Sequence, residues 1–225
     1  MYNFNLFFIF PYLDSLLSAI WYTLQISVTA TFLSIIFGIL MALVRLSNYK
    51  YLRLCGVFYV EVIRNMPMVV LLYLIFFGLP SFGIVLSGYI CGLTALTMNS
   101  TAFMTEIFRS GFLAVSRGQF EAASAQGMTS IQLYRFVILP QVFRISYASL
   151  GNQIIGVIMG SSIMMIATIE EVTAWMFNTG SINFRYLEVF FVGGLAYLVL
   201  CQTLNLVRHA LGKVLFKTVE AGGPW

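Results

Sequence analysis

Hydrophobic and polar positions along this chain separate into long runs, not into the short alternations of a water-facing surface. Charge-free intervals run from Ser15 to Val44, Asn65 to Thr105, Ile145 to Ile169 and Val189 to Val207. A bilayer's hydrocarbon core takes about 20 apolar residues per helix, so the first, third and fourth intervals each predict one span. The second is long enough for two and contains Gly78-Leu79-Pro80-Ser81-Phe82-Gly83, a cluster of turn formers. It predicts a hairpin. The part before the turn is too short from Asn65 alone, so its helix starts near Leu54 and carries Glu61 and Arg64. The expectation is an all-α integral membrane fold with five transmembrane helices, about 18–44, 54–79, 83–108, 143–169 and 187–208. Residues 1–17 read as an N-terminal interfacial segment, with a short helix over Phe4–Phe10. Residues 18–210 read as one transmembrane domain, and 211–225 as a cytoplasmic tail that is loose from Glu220 to Trp225.

Composition agrees with a bilayer. The chain is 60% hydrophobic and 9% charged, with a mean hydropathy of +0.92, too apolar for a water-soluble domain. No basic residue precedes the first apolar stretch and no small-residue cleavage site follows it, so no cleavable signal is expected. Cys55, Cys91 and Cys201 sit singly in apolar runs, without metal spacing, and read as small buried hydrophobes.

The net charge of +4 matters less than its placement. Arg45, Lys50 and Arg53 lie between spans one and two. Arg109, Arg117, Arg135 and Arg144 lie between three and four, and Arg208, Lys213 and Lys217 follow span five. That puts ten of the twelve basic residues on one side, with Arg185 opposite and Arg64 inside a span. The positive-inside rule makes that side cytoplasmic, the N-terminus external and the C-terminus internal.

The longest cytoplasmic loop holds Glu121-Ala122-Ala123-Ser124-Ala125-Gln126, a good helix former with small side chains. Gly127 suits the left-handed position that ends a helix. Thr129 with Gln132 three residues on forms a capping box for the next helix, and Pro140 predicts a break before span four. On physics alone this is a helix, a glycine turn and a helix, which could simply rest on the headgroups.

Glu121-Ala122-Ala123, Gly127 and Val137-Ile138-Leu139-Pro140 resemble, in spacing, the EAA loop of ABC-importer permeases. Ser116-Arg117-Gly118-Gln119, Gln141-Val142-Phe143-Arg144, Glu61-Val62-Ile63-Arg64-Asn65-Met66-Pro67 and Glu106-Ile107-Phe108-Arg109-Ser110-Gly111 resemble its polar amino acid branch, of the histidine, glutamate and glutamine type. Phe103 and Ser110 depart from it, where Tyr and Gly are common. The resemblance implies a permease of the type I importer fold in a bacterial inner membrane. It implies a coupling helix in which Glu121, Ala122, Ala123, Gly127 and Pro140 meet a cytoplasmic ABC ATPase dimer. It also implies a second permease chain, identical or related, an extracytoplasmic solute-binding protein and an amino acid substrate, in a setting of membrane lipid. No phosphate loop of the G-x-x-x-x-G-K-[ST] type is present, so ATP chemistry belongs to another chain. No cofactor, metal or nucleic acid is expected.

Charges inside a bilayer are costly and need partners or water. Glu61 with Arg64 and Glu106 with Arg109, each spaced i, i+3, predict two self-compensating pairs, which either brace the spans or line the substrate path. Pro67 predicts a kink, beside the path or simply in the packing. Span four carries Asn152, Gln153, Ser161 and Ser162, with Gly156 and Gly160 at close-packing spacing; they serve either helix packing within the chain or a dimer axis and path. Glu170-Glu171 and the stretch to Phe177 predict a short external helix, anchored at the interface by Trp175 or facing a binding protein. His209 takes no role. A stand-alone ion-coupled transporter is the rival reading, disfavoured by five spans without a clear repeat. A membrane enzyme lacks any nucleophile and base pair.

Overall fold

The computed structural model describes residues 3–216, and they form helices joined by short turns, with no strand among them. Three helical stretches are long and apolar enough to cross a membrane: Phe7–Leu46, Ser130–Ala167 and Tyr186–Val214. A fourth exists if Lys50–Asn65 and Met68–Phe82 count as one bent span.

Helix α1 (Leu13–Leu46) buries a stripe of small and polar residues, among them Ala19, Thr23, Ser27, Ala30, Ser34, Gly38 and Ala42. Its exposed positions are large and apolar: Leu17, Trp21, Val28, Phe32 and Leu40. A water-soluble helix has the opposite arrangement. Here the small stripe lets α4 (Gly88–Ala114) come close, and a Cβ on Gly38 would stand 2.7 Å from that of Met104.

The expected continuous span 54–79 is not continuous. Helix α2 (Lys50–Asn65) and α3 (Met68–Tyr73) meet at a bend of 106°. A proline clashes with an α-helical residue before it, and both Met66 (ψ 130°) and Pro67 (ψ 134°) are extended. Two extended residues turn the chain, where a missing hydrogen bond alone would only kink it. The turn after α3 lies where it was expected. Gly83 is left-handed (φ 80°), and the amides of Gly83 and Ile84 donate to the carbonyls of Pro80 and Leu79. Helix α4 begins at Gly88 and runs on to Ala114, later at both ends than expected.

Pro140 does not break the chain, contrary to expectation. Helix α6 (Ser130–Gln132), a π-helical stretch Leu133–Ile138, α7 (Leu139–Gly160) and a 3-10 stretch Ser161–Ala167 form one helical stretch of 38 residues. Pro140 sits in the first turn of α7, where the wider π turn before it leaves no α-type donor for the proline to withhold.

Helix α8 (Val172–Asn183) is no interfacial anchor. Trp175 is buried and donates from Nε1 to Ser15 Oγ at 2.9 Å. Helix α9 (Tyr186–Phe216) continues well past the expected end at 208; residues 217–225, with Lys217 and the expected loose tail, lie outside the described residues. The N-terminal segment is a 3-10 turn, Phe7–Tyr12, leading directly into α1. It is tied to α9, with Arg185 donating to Asn3 O and pairing with Glu188 at 2.9 Å, while Glu188 accepts from the Asn5 amide. Cys91 is buried and Cys201 half-buried, but Cys55 is exposed, on the outward face of α2 beside Leu52.

Three buried clusters stack along the bundle. Ile9, Leu16, Val172, Trp175 and Val189 fill one end, Ile26, Leu72, Leu96 and Met164 the middle, and Ala42, Phe108, Phe112, Ile138 and Val142 the other. At the middle cluster Gly88 lies against the carbonyl of Ala167, closer than any Cβ tolerates. Gly88→Ala is expected to cost about 1–3 kcal/mol, read as a lowered thermal midpoint in detergent.

Candidate functional site

The end of the bundle opposite the N-terminus carries a hook. Helix α5 (Arg117–Ala125) closes on Gly127, left-handed at φ 73°. The Gly127 amide donates to Ser124 O at 3.0 Å and the Met128 amide to Ala123 O at 3.2 Å, a Schellman closure. Thr129 starts the next helix with the capping box that the sequence predicts: its amide donates to Gln132 Oε1 and the Gln132 amide to Thr129 Oγ1.

The hook is braced from behind. Gln141 Nε2 donates to Gln119 Oε1 at 3.1 Å, and Phe120 stacks edge-on to Tyr134, which meets Phe112 of α4. Ala123 points into this brace and is buried. Glu121, Ala122, Ala125 and Gly127 stay exposed, with Ile131 and Phe136 as apolar neighbours. Among the described residues Glu121 is held only by Arg117, 3.1 Å away and itself exposed. The outer face is therefore small, fixed in angle and unclaimed by the other described residues. Pro140 is exposed but lies in the long rod, not in the hook.

The charged residues assemble differently from expectation. Glu106 pairs with Arg109 at 2.9 Å, as expected, but it also binds Arg45 at the end of α1. Two guanidiniums thus share one carboxylate, for a net charge of +1. Glu61 and Arg64 form no ion pair with each other: Arg64 lies over the Phe103 ring at 5.2 Å, and Glu61 accepts from Asn65. Both side chains are exposed. The sequence alone places Arg45 in the loop between spans one and two. Its place in the last turn of α1 was the available signal.

The span-four residues divide. Gly160 faces Met68 and Leu96, and Ser161 and Ser162 donate to the carbonyls of Ile158 and Met159. Gln153 is half-buried. Asn152, Gly156 and Met159 form an exposed face, and a Cβ on Gly156 would touch nothing.

Sequence reasoning missed two fastenings. Arg208 of α9 lies flat on Gly151 and donates to Ala148 O, while the Tyr147 hydroxyl donates to Arg208 O at 2.5 Å. At the other end, buried Glu171 accepts from the amides of Thr173 and Ala174 and from the Tyr197 hydroxyl at 2.6 Å. Burial pushes the Glu171 carboxyl above its usual range, opposed by those hydrogen bonds. An acidic residue just before a helix marks a cap; which helix pair it would join is not visible in sequence.

Residues 34–217 match a family described as binding-protein-dependent transport system inner membrane component. The chain is 33% identical over 214 residues to the probable glutamine ABC transporter permease protein GlnM of Bacillus subtilis (strain 168), covering 95% of this chain and 99% of that one. It is 30% identical over 206 residues to the arginine transport system permease protein ArtQ of the same organism, covering 91% and 94%. The crystal structure of an amino acid ABC transporter with histidines is similar at a TM-score of 0.85 and 30% identity, over 94% of this chain and 99% of that one. The MetNI methionine ABC transporter in an inward facing conformation shares the fold at a TM-score of 0.77, with 20% identity over 92% and 98%.

Proposed function

Because this chain belongs to the family of inner membrane components of binding-protein-dependent transport systems, we propose that it is the permease subunit of an ATP-driven amino acid importer. The observation that carries the mechanism is the hook and its continuity with the rod. A surface fixed by Gly127 and Thr129 continues into helix from Ser130 to Ala167, so a push on α5 reaches the far end of the bundle without crossing a flexible joint. Glu121, Ala122 and Gly127 are the seat of a cytoplasmic ABC ATPase dimer, buried Ala123 holds that seat from behind, and Pro140 belongs to the rod that carries the motion.

The chain crosses a bacterial inner membrane five times. Spans two and three are the bent α2–α3 pair and α4, and the hook lies in the cytoplasm with most of the arginines and lysines. Its polar residues make α4 less apolar than α1, α7 and α9; its burial supports its being a span all the same. The chain itself catalyses nothing, and a separate solute-binding protein delivers the amino acid on the α8 side. The exposed Asn152–Gly156–Met159 face meets a second permease chain, identical or related. The path runs beside it, past Gln153, Gly160, Ser161 and Ser162, and past Glu61, Arg64, Pro67 and Glu106 toward the cytoplasm.

Gly156→Leu tests the pairing. It fits within the chain, so the thermal midpoint of the single permease is expected to stay put while the paired form is lost on size-exclusion chromatography. The wider reading is tested by tagging the C-terminus, extracting gently from native membranes and identifying every stoichiometric chain by mass spectrometry. An ATPase is expected; repeated recovery of the chain alone would favour an ion-coupled transporter.

A further inference from the structure

A cleft of about 400 Å³ opens between the first turns of α1 and helix α8, at the end of the bundle away from the hook. Its walls include Tyr12 from the N-terminal 3-10 turn, Ser18 and Tyr22 from α1, Glu170 from the connector, and Trp175 and Asn178 from α8. The size suits a small ligand.

The frame is rigid. Trp175 Nε1 donates to Ser15 Oγ at 2.9 Å, Tyr12 donates to Asn183 Oδ1 at 3.1 Å, and the Val172 amide donates to Thr23 Oγ1 at 3.2 Å. Glu171 turns inward and spends its carboxylate on capping α8 and on Tyr197. Its neighbour Glu170 lines the cleft, is exposed, and has no hydrogen bond or ion pair among the described residues.

The chemistry is specific. One carboxylate without a partner among the described residues shares the cleft with two tyrosines and a tryptophan, residue types that suit an organic cation by charge and by aromatic contact. Tyr22 and Asn178 offer an O–H and N–H donors for an anion beside it. Ser18 does not add a donor, because its hydroxyl is spent on Asp14 O at 3.0 Å. Two of the lining residues, Tyr22 and Ile182, are large, apolar in body and well exposed, as at a membrane–water boundary where aromatic side chains gather.

We propose that this cleft binds a zwitterion that carries a primary ammonium beside an anionic oxygen group. The ammonium sits on Glu170 and the anion on Tyr22 and Asn178. Two sources have that chemistry: the headgroup of a phosphatidylethanolamine-type lipid, and a free amino acid.

The test uses the purified permease with its partner chains in detergent, and thermal midpoint as the readout. The probes are glycerophosphoethanolamine, glycerophosphocholine and glycine. The expected result is a saturable rise with glycerophosphoethanolamine and none with glycerophosphocholine, whose nitrogen has no N–H to give. Glu170→Gln and Asn178→Leu, both at exposed positions, should keep the unliganded midpoint. Each should raise the half-saturating concentration about tenfold, the loss of one charge-assisted or polar contact. The same pattern with glycine, equally sensitive to Glu170→Gln, assigns the site to amino acids. No saturable rise with either zwitterion, or a rise unchanged in both variants, overturns the proposal. Binding is read here and not uptake, so failure leaves the transport function untouched.

Discussion

Gly127→Pro is expected to leave the chain inserted and folded while abolishing the coupling of ATP hydrolysis to uptake. Gly127 is left-handed and exposed, with nothing within 4 Å of a built Cβ. Substitution there changes no packing, so its whole effect is on the angle between α5 and the rod. Proline holds φ near −65° and removes the amide that donates to Ser124 O. The native turn then costs about 3 kcal/mol more, which lowers its population roughly hundredfold. Gly127→Ala keeps the amide and pays only the left-handed penalty of about 1–2 kcal/mol, so it should fall between. Glu121→Lys separates angle from surface. Its exposed ion pair with Arg117 contributes little to stability, but reversing the charge alters the face that an ATPase would meet. Uptake and stimulated ATP hydrolysis in proteoliposomes, with membrane insertion as the control, check all three. Normal coupling in Gly127→Pro and Glu121→Lys together removes the hook from the mechanism.

Glu106→Leu is expected to be strongly destabilising. It leaves Arg45 and Arg109 facing each other without the carboxylate they share. Breaking a buried pair costs about 3–5 kcal/mol. With side chains 12–32% exposed here, water screens part of this, and about 2–3 kcal/mol is the expected loss. Arg45→Met added to Glu106→Leu should recover part of it, because one orphaned cation is gone. Thermal midpoints and folded yield in detergent measure the series. A Glu106→Leu protein as stable as the parent, or a double variant worse than the single, contradicts the shared-carboxylate geometry.

What could be read from the chain follows the range of the forces involved. The Gly127 turn, the Thr129–Gln132 capping box and the Gly78–Gly83 turn are local, set by residues within six positions, and they formed where expected. Long apolar runs identified α1, the rod and α9, because burial in a bilayer is a property of whole segments. The errors lie at prolines and at long-range contacts. In sequence Pro67 predicts a kink and Pro140 a break. One turns the chain by 106° because Met66 also leaves the helix, and the other rides inside a rod because a π turn precedes it. Trp175 looked like an anchor because aromatic residues gather at interfaces, yet its partner Ser15 is 160 residues away. The candidate site shows the same division. The shape of the hook was legible, whereas Arg45 joining Glu106 across 61 residues was not.

The most direct measurement is substrate uptake by the purified permease in proteoliposomes, with and without its partner ATPase, under an imposed ion gradient or with enclosed ATP. The account predicts uptake only when ATPase, ATP and binding protein are all present, and none from the gradient alone. Gradient-driven uptake by the permease without any ATPase would contradict it.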